Sequence, residues 1–212
     1  MLLNFEEVCK ILLSNNITIR GVFHIGAFEC EELPFYNNNL AITNENILWI
    51  DAVNSKVIEA TNRGIPNVYN ALITDKDDED ILFNVSNNIA SSSILEFGTH
   101  SREHPHIHYI GKIAQKSITI DTFFERNNLD ASKYEFWNLD IQGAELLALK
   151  GAINSIQYAK VIYIEVNERE LYKNCGLIGE IDSFLSQYKF KRVLTNITQY
   201  GWGDAVYIVD NE

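Results

Sequence analysis

The chain has few cysteines, no long apolar run and few basic residues, and each shortage excludes a class of protein. Three cysteines, Cys9, Cys30 and Cys175, stand far apart in 212 residues, so neither a disulfide framework nor a Cys-x-x-Cys metal site fits them. No apolar run reaches the roughly 18 residues of a membrane-spanning helix, and no basic flank precedes the apolar start of the chain. We therefore expect a cytoplasmic protein in a reducing environment, with no membrane partner.

The charge balance is strongly acidic. Lys and Arg number 17 against 29 Asp and Glu, which gives a formal net charge of -12. Nucleic-acid binding draws its affinity from clustered Lys and Arg, and the dense basic groups here, around Arg102 and at 189–192, are short. We expect no nucleic-acid partner. The length and the 46% hydrophobic content suit one substantial core, so we expect a single domain over residues 1–212.

The chain alternates between two kinds of segment. Short apolar runs end in a glycine or an acid, and the segments between them have apolar residues at helical spacing. Residues 22–26 and 47–51 are typical of strands buried on both faces, and 136–140 and 160–166 repeat the form. Helices are predicted between them, the first over residues 30–36, and the chain closes on two strands. This alternation predicts an α/β fold with an open, mostly parallel sheet and helices on both faces.

Outside this alternation, the pattern is less regular. We expect an N-terminal helix within residues 1–20. Residues 67–73 and 80–85 predict two strands joined as a hairpin by a charged turn, and a further strand is expected at 116–121. Residues 86–111 lose all periodicity. Because long irregular segments in compact domains are usually binding loops, we interpret this one as a substrate loop.

The first strand is followed by a turn with one glycine, Gly26, where a dinucleotide site would need three. This counts against NAD and its pyrophosphate. A nucleoside without phosphate, such as S-adenosylmethionine, needs only a close backbone approach at Gly26. Asp51, at the end of the second strand, is placed to accept hydrogen bonds from both ribose hydroxyls. Alternatively, Gly26 makes a tight turn and Asp51 caps the following helix.

Several segments together resemble the FkbM methyltransferases in order and spacing. They are H-I-G-A-F-E-C-E-E-L, W-I-D-A, T-I-D-T-F-F, W-N-L-D-I-Q-G-A-E-L-L-A-L-K-G-A and Y-I-E-V. The most specific is Asp140 to Glu145, which resembles the family's Asp-x-Glu/Gln-Gly-x-Glu signature, and its Leu-Lys-Gly tail follows. His24 stands where the family commonly has an acid, and Cys30 where it usually has a second glycine.

The resemblance implies a Rossmann-like class I methyltransferase fold, with a seven-stranded sheet whose last strand is antiparallel. It implies S-adenosylmethionine as the cofactor, and an oxygen of a sugar or similar polyol as the methyl acceptor. Glu32 is a candidate to hold the methionine amino group. The predicted cofactor-binding residues are His24, Gly26, Ala27, Glu32, Asp51, Ala52, Ala71, Leu72, Asp140 and Gln142.

Asp140 is the predicted general base or substrate orienter, because it ends the strand that follows the long loop. A base is needed because an alcohol must lose its proton as it attacks the methyl group. The alternative role of Asp140 is to cap the helix near Gly143, with Gln142 and Glu145 completing the cap. His104, in the 86–111 loop, is a reserve base. The histidine spacing in that loop matches no metal motif, so we expect no metal.

Predicted substrate-binding residues share the ability to contact hydroxyl groups or the flat face of a sugar. They are Ser92, His106, Glu145, Glu165, Glu168 and Trp202. Glu165 and Glu168 can accept hydrogen bonds from vicinal diols, although pairing with nearby cations is an equal alternative. Trp202 either stacks on a sugar face or fills an apolar gap.

Three functions stay open at this stage. The first is an O-methyltransferase of a sugar or nucleotide sugar, and the second methylates a non-sugar acceptor. The third is a binding module that has lost catalysis, in which case the departures from the family pattern at His24 and Cys30 would reflect that loss. A nicotinamide oxidoreductase ranks last, since the glycine fingerprint is missing. A homodimer stays open as a partner.

Overall fold

The computed structural model describes residues 2–210, which form a seven-stranded sheet, a smaller three-stranded sheet and seven α-helices. The helices are α1 Phe5–Ser14, α2 Leu33–Asn38, α3 Asn54–Asn62, α4 His100–Glu103, α5 Ile120–Arg126, α6 Glu145–Lys150 and α7 Ile178–Ser186. The strands are β1 Val22–Ile25, β2 Ile47–Asp51, β3 Val68–Asn70, β4 Leu72–Ile73, β5 Asp80–Ser86, β6 Tyr109–Ile118, β7 Phe136–Leu139, β8 Val161–Asn167, β9 Phe190–Ile197 and β10 Trp202–Val209. No helix of this part of the chain is long and apolar enough to cross a membrane.

The large sheet has the strand order β3-β2-β1-β7-β8-β10-β9. β1, β2, β3, β7 and β8 pair in parallel, and β10 runs antiparallel to both β8 and β9. The predicted mostly parallel seven-stranded sheet with an antiparallel last strand is therefore confirmed. Strand order reverses between β1 and β7, and the crevice at such a point is where sheets of this kind bind ligands.

Helices cover the large sheet on both faces because successive strand residues point to opposite sides. Phe23 of β1 packs in one apolar cluster with residues of α5, α6 and α7. Its neighbour Val22 packs in the other cluster, with residues of α1, α2 and α3. All residues of β1, β2, β7 and β8 are buried, as expected for strands that lie between two helical layers.

The segment from 67 to 118 differs from its prediction. Residues 67–73 split into β3, in the large sheet, and β4, which pairs in parallel with β6. β5 also pairs with β6, antiparallel, so the predicted hairpin between 67–73 and 80–85 is wrong. β6 begins at Tyr109, well before the predicted strand at 116–121. The earlier start was missed because the residues of β6 are largely exposed and show no apolar alternation.

The first helix after β1 also starts later than predicted. Phe28 and Cys30 have φ angles of 42° and 55°, which are incompatible with helical geometry. The helix α2 begins at Leu33, and Pro34 lies in its first turn, a position where the missing backbone N–H of proline has no cost. Residues 26–32 therefore form an irregular loop at the carboxyl end of β1.

Candidate functional site

A cavity of about 210 Å³ opens at the point where strand order reverses. Its walls come from the loop after β1, the end of β2, the segment after β7, and part of the 86–111 region. The lining residues are Gly26, Ala27, Phe28, Glu29, Glu31, Glu32, Asp51, Ala52, Val53, Phe83, Ile89, Ala90, Ser92, Asp140, Ile141 and Gln142.

Most of the residues predicted to bind the cofactor lie around this one cavity, and so does Ser92, which was predicted for the substrate. The remaining lining residues were not predicted. Phe28, Glu29 and Glu31 belong to the loop after β1, where the first helix was expected to begin at Cys30. Phe83, Ile89 and Ala90 come from the segment whose pairing the sequence did not reveal, whereas Val53 follows β2 and Ile141 follows β7.

Gly26 lies where the backbones of two strand ends meet. Its φ is 92°, and a Cβ at this position would lie 1.8 Å from the carbonyl oxygen of Asp140. The amide of Gly26 donates to Ile50 O at 2.8 Å, and the amide of Asp140 donates to Ile25 O at 3.0 Å. The ends of β1, β2 and β7 therefore lie so close together that only a residue without a Cβ fits at position 26.

Asp51 both supports the loop and faces the cavity. Its Oδ2 accepts a hydrogen bond from Phe28 N and its Oδ1 from Val53 N, each at 2.7 Å. Burial raises the pKa of Asp51 above its ordinary value. A carboxylate can accept about four hydrogen bonds, so Asp51 retains lone pairs for ligand hydroxyls. Asp51 therefore makes backbone contacts of the capping kind and also lines the cavity, and its contact with ribose hydroxyls stays a prediction.

Lys56 of α3 holds the loop after β1 from outside. Its Nζ lies 2.9 Å from Glu29 Oε1 and 2.8 Å from Glu59 Oε2, and 4.8 Å from the centroid of the Phe28 ring. Arg63 adds a hydrogen bond to Glu29 O. These contacts fix a loop whose positive φ angles are costly for side chains with a Cβ. These contacts could not be predicted from the sequence, because they depend on where α3 packs.

The cavity is acidic. Glu29, Glu31, Glu32, Asp51 and Asp140 line it, and none of its described lining residues is Lys or Arg. Burial raises the pKa of Glu32 to about 7, since desolvation disfavours a charged carboxylate. A cationic ligand would compensate this cost, whereas phosphate groups held inside this cavity would be repelled. The site therefore fits a sulfonium and ammonium ligand better than NAD.

An apolar annex of about 30 Å³ adjoins the cavity and shares Gly26, Ala52, Phe83 and Ile141 with it. Ala71 and Leu72, two of the predicted cofactor residues, line this annex together with Ile73 and Ile94. This apolar recess adjoins the cavity that Asp51 lines, so it can receive part of a flat aromatic base attached to a ribose.

His24 lies beneath the cavity and does not line it. The imidazole is buried, its Nδ1 lies 3.0 Å from the hydroxyl of Tyr36, and its ring contacts Trp49 with centroids 4.8 Å apart. Burial lowers the pKa of His24 to about 3, so the ring is neutral. Glu32 Oε2 is 3.9 Å from Nδ1. The imidazole of His24 therefore supports Glu32 from behind. It does not line the cavity, so the structure does not support a direct contact between His24 and the cofactor.

Glu145 is also buried away from the cavity. Its Oε1 accepts hydrogen bonds from Ile141 N at 2.8 Å and Gly143 N at 3.2 Å, and burial raises its pKa to about 7. These contacts close the turn before α6, which is the capping role that the sequence left open. A substrate-binding role has no support from this position, since the side chain is 1% exposed.

Asp140 is held by its neighbours at the cavity wall. The Gln142 amide Nε2 donates to Asp140 Oδ1 at 2.7 Å and to Glu165 Oε2 at 2.8 Å. Burial and the nearby Asp140 raise the pKa of Glu165 well above its ordinary value. Glu165 is therefore a buried neighbour of Asp140, not an exposed ligand for sugar hydroxyls.

The remaining predicted residues lie outside the cavity wall. The His104 ring packs near His100 and Tyr200, with centroids 5.0 Å and 5.2 Å away. His106 and Glu168 are exposed. Trp202 packs against the apolar cluster of Leu171, Tyr172 and Cys175, which favours the apolar-gap interpretation. No cluster of His, Cys, Asp and Glu in residues 2–210 has the arrangement of a metal site.

Solved structures with a similar chain path include two methyltransferases. Magnesium protoporphyrin IX methyltransferase from Synechocystis PCC 6803 with bound SAM is 12% identical, over 97% of this chain and 78% of that chain, with a TM-score of 0.43. A SAM dependent methyltransferase from Aquifex aeolicus is 14% identical, over 95% of this chain and 89% of that one, also with a TM-score of 0.43. A search of curated proteins gives no significant match.

The sequence model of the Methyltransferase FkbM domain matches residues 19–192. This stretch contains β1 to β8, α2 to α7, and all the residues that line the cavity. It covers most of the 212 residues, which confirms the resemblance drawn from the motifs. The chain belongs to the FkbM family of S-adenosylmethionine-dependent methyltransferases.

Proposed function

We propose that the protein transfers a methyl group from S-adenosylmethionine to a hydroxyl of a sugar or nucleotide sugar. The observation that carries the cofactor part is the acidic cavity, in which Asp51, Gly26 and Asp140 lie together and no Lys or Arg contributes to the described walls. The assignment of a sugar as the methyl acceptor is supported by the family resemblance, and it is tested separately from cofactor binding.

Binding is assigned to the residues that line the cavity and its annex. Asp51 accepts hydrogen bonds from the ribose hydroxyls, and the annex at Ala71 and Leu72 receives the adenine. Glu32 holds the methionine amino group, because a raised pKa marks a carboxyl that gains from a cationic partner. S-adenosylmethionine supplies, when bound, an electrophilic methyl group on a positively charged sulfur.

The chemistry assigned to the chain itself is alignment and proton removal. Asp140 accepts the proton of the attacking hydroxyl, a contribution of about 100-fold to 10,000-fold in rate for a well-placed base. Ser92, Ile89 and Ala90 form the wall contributed by the 86–111 loop. They limit the access of water to the reacting atoms, which strengthens the electrostatic interactions inside the cavity.

The acceptor is tested by methyl transfer from radiolabelled cofactor to two panels of compounds. The first contains nucleotide sugars, and the second contains phenols and carboxylic acids of similar size. We expect label in at least one nucleotide sugar and only background in the second panel, measured after chromatographic separation. An incubation without any acceptor gives the background rate.

The outcomes separate the alternatives. Label confined to phenols or carboxylic acids would contradict the sugar acceptor and leave methyl transfer intact. Bound cofactor with no label in either panel would favour a binding module that has lost catalysis.

A further inference from the structure

The side-chain amide of Gln142 has a partner for each of its polar groups. Its Nε2 donates to Asp140 Oδ1 and to Glu165 Oε2, so both amide protons are used. Its Oε1 accepts a hydrogen bond from the hydroxyl of Tyr172 at 2.7 Å. An amide whose donors and acceptor are all paired is held in one orientation, because turning it would break several hydrogen bonds at once.

Tyr172 is itself held in place by packing against two aromatic rings. It is fully buried, and its ring centroid lies 5.6 Å from that of Phe97 and 5.5 Å from that of His100. Its hydroxyl also lies 3.2 Å from Ser91 O. The Tyr172 hydroxyl can donate only one proton. Its contact with Gln142 Oε1 is shorter than its contact with Ser91 O, so we assign the proton to Gln142. Tyr172 therefore connects the 86–111 loop to the wall of the cavity.

The backbone of Gln142 directs its side chain toward the two carboxyl groups. Gln142 has a φ of 57° and Gly143 a φ of 96°, so this turn is held in a left-handed conformation that most residues avoid. Ser93 Oγ stabilises the turn by donating to Gln142 O at 2.8 Å. Strained backbone of this kind persists only where the surroundings determine it.

We propose that Gln142 and Tyr172 are positioning residues for Asp140: the Tyr172 hydroxyl fixes the Gln142 amide, and the amide fixes the Asp140 carboxylate at the cavity wall. The inference rests on the proposed role of Asp140 as base. Positioning matters because a base displaced by about 1 Å can lose about 100-fold in rate.

The test uses Tyr172→Phe, which removes only the hydroxyl, with Tyr109→Phe as the matched control. Tyr109 stacks on the same Phe97 ring at 4.0 Å and donates its own hydroxyl to Leu95 O at 2.7 Å, without contact to Gln142. We expect Tyr172→Phe to lower kcat about tenfold, as for the loss of one hydrogen bond. The affinity for S-adenosylhomocysteine should change less than about twofold, and Tyr109→Phe should match the wild type in both.

A spectroscopic readout needs no acceptor. The side-chain amide protons of Gln142 should exchange slowly with water in the wild type and in Tyr109→Phe, followed by ¹H–¹⁵N NMR. They should exchange faster in Tyr172→Phe. Equal exchange in all three proteins would overturn the proposal, because Tyr172 would then not hold the amide.

A double-mutant cycle separates positioning from general destabilisation. Gln142→Met keeps the side-chain length and removes the amide, and we expect a larger fall in kcat than in Tyr172→Phe, measured with the panel sugar that takes most label. The double variant should be no slower than Gln142→Met, since Tyr172 acts through Gln142. Independent, multiplying effects would overturn the proposal. Full turnover in Asp140→Asn would instead contradict the proposed role of Asp140 as base, whatever the exchange measurement gives.

Discussion

Replacing Asp140 by Asn should lower kcat by about 100-fold to 10,000-fold and leave cofactor affinity nearly unchanged. The substitution keeps the size of the side chain, and its amide oxygen can still accept the hydrogen bond that Gln142 Nε2 donates to Asp140. What it removes is the ability to take a proton from the attacking hydroxyl. Steady-state methyl transfer and calorimetric titration with S-adenosylhomocysteine measure the two quantities on the same preparation.

Asp80→Asn serves as the control for this substitution. Asp80 lies at the start of β5, and its side chain is 85% exposed beside Lys116, so its loss should not affect turnover. A surface ion pair of this kind contributes little to stability. If Asp140→Asn kept wild-type kcat, Asp140 would be limited to closing the turn after β7, and another group would have to take the proton.

Replacing Gly26 by Ala should lower the free energy of unfolding by about 3 kcal/mol. It should also abolish binding at cofactor concentrations that saturate the wild type. The left-handed φ costs roughly 1 to 2 kcal/mol with a Cβ present, and overpacking adds about 1 to 3 kcal/mol. The overlap is with backbone, because the new Cβ would lie 1.8 Å from Asp140 O. Relief therefore requires the ends of β1 and β7 to separate, which would displace Asp140. Urea unfolding and titration with S-adenosylhomocysteine measure the two effects.

Gly64→Ala is the matched control for backbone strain. Gly64 has a φ of 80°, and no heavy atom lies within 4 Å of a Cβ built there. We expect a loss of only about 1 kcal/mol in the free energy of unfolding, with cofactor affinity unchanged. Similar losses in the two variants would contradict the close approach of β1 and β7 as the reason for glycine at position 26.

The large sheet could be predicted from the sequence because its central strands are short and mostly apolar. An acid ends β2, and another follows β7 directly. The carboxyl ends of adjacent parallel strands meet at one edge, so the ends of β1, β2 and β7 had to come together once the order was right. This is why Gly26, Asp51 and Asp140 were predicted as neighbours, and the structure places all three around one cavity. Their chemical roles stay predictions.

Features that depend on tertiary packing could not be predicted in the same way. β6 has mostly exposed residues and therefore no apolar alternation, so its pairing with β4 and β5 was missed. Tyr172 lies in a segment between β8 and α7 with no helix or strand assignment, yet it contacts Gln142. His24 is a polar residue at the centre of a buried strand, and only its packing against Tyr36 and Trp49 explains it.

Calorimetric titration of the purified protein with S-adenosylmethionine, and of a second sample with NAD, tests the central claim most directly. The acidic cavity, with no Lys or Arg in its described walls, predicts saturable one-to-one binding of S-adenosylmethionine and no measurable heat with NAD. Absence of binding to S-adenosylmethionine, or tighter binding of NAD, would contradict the assignment of this cavity to a cationic nucleoside.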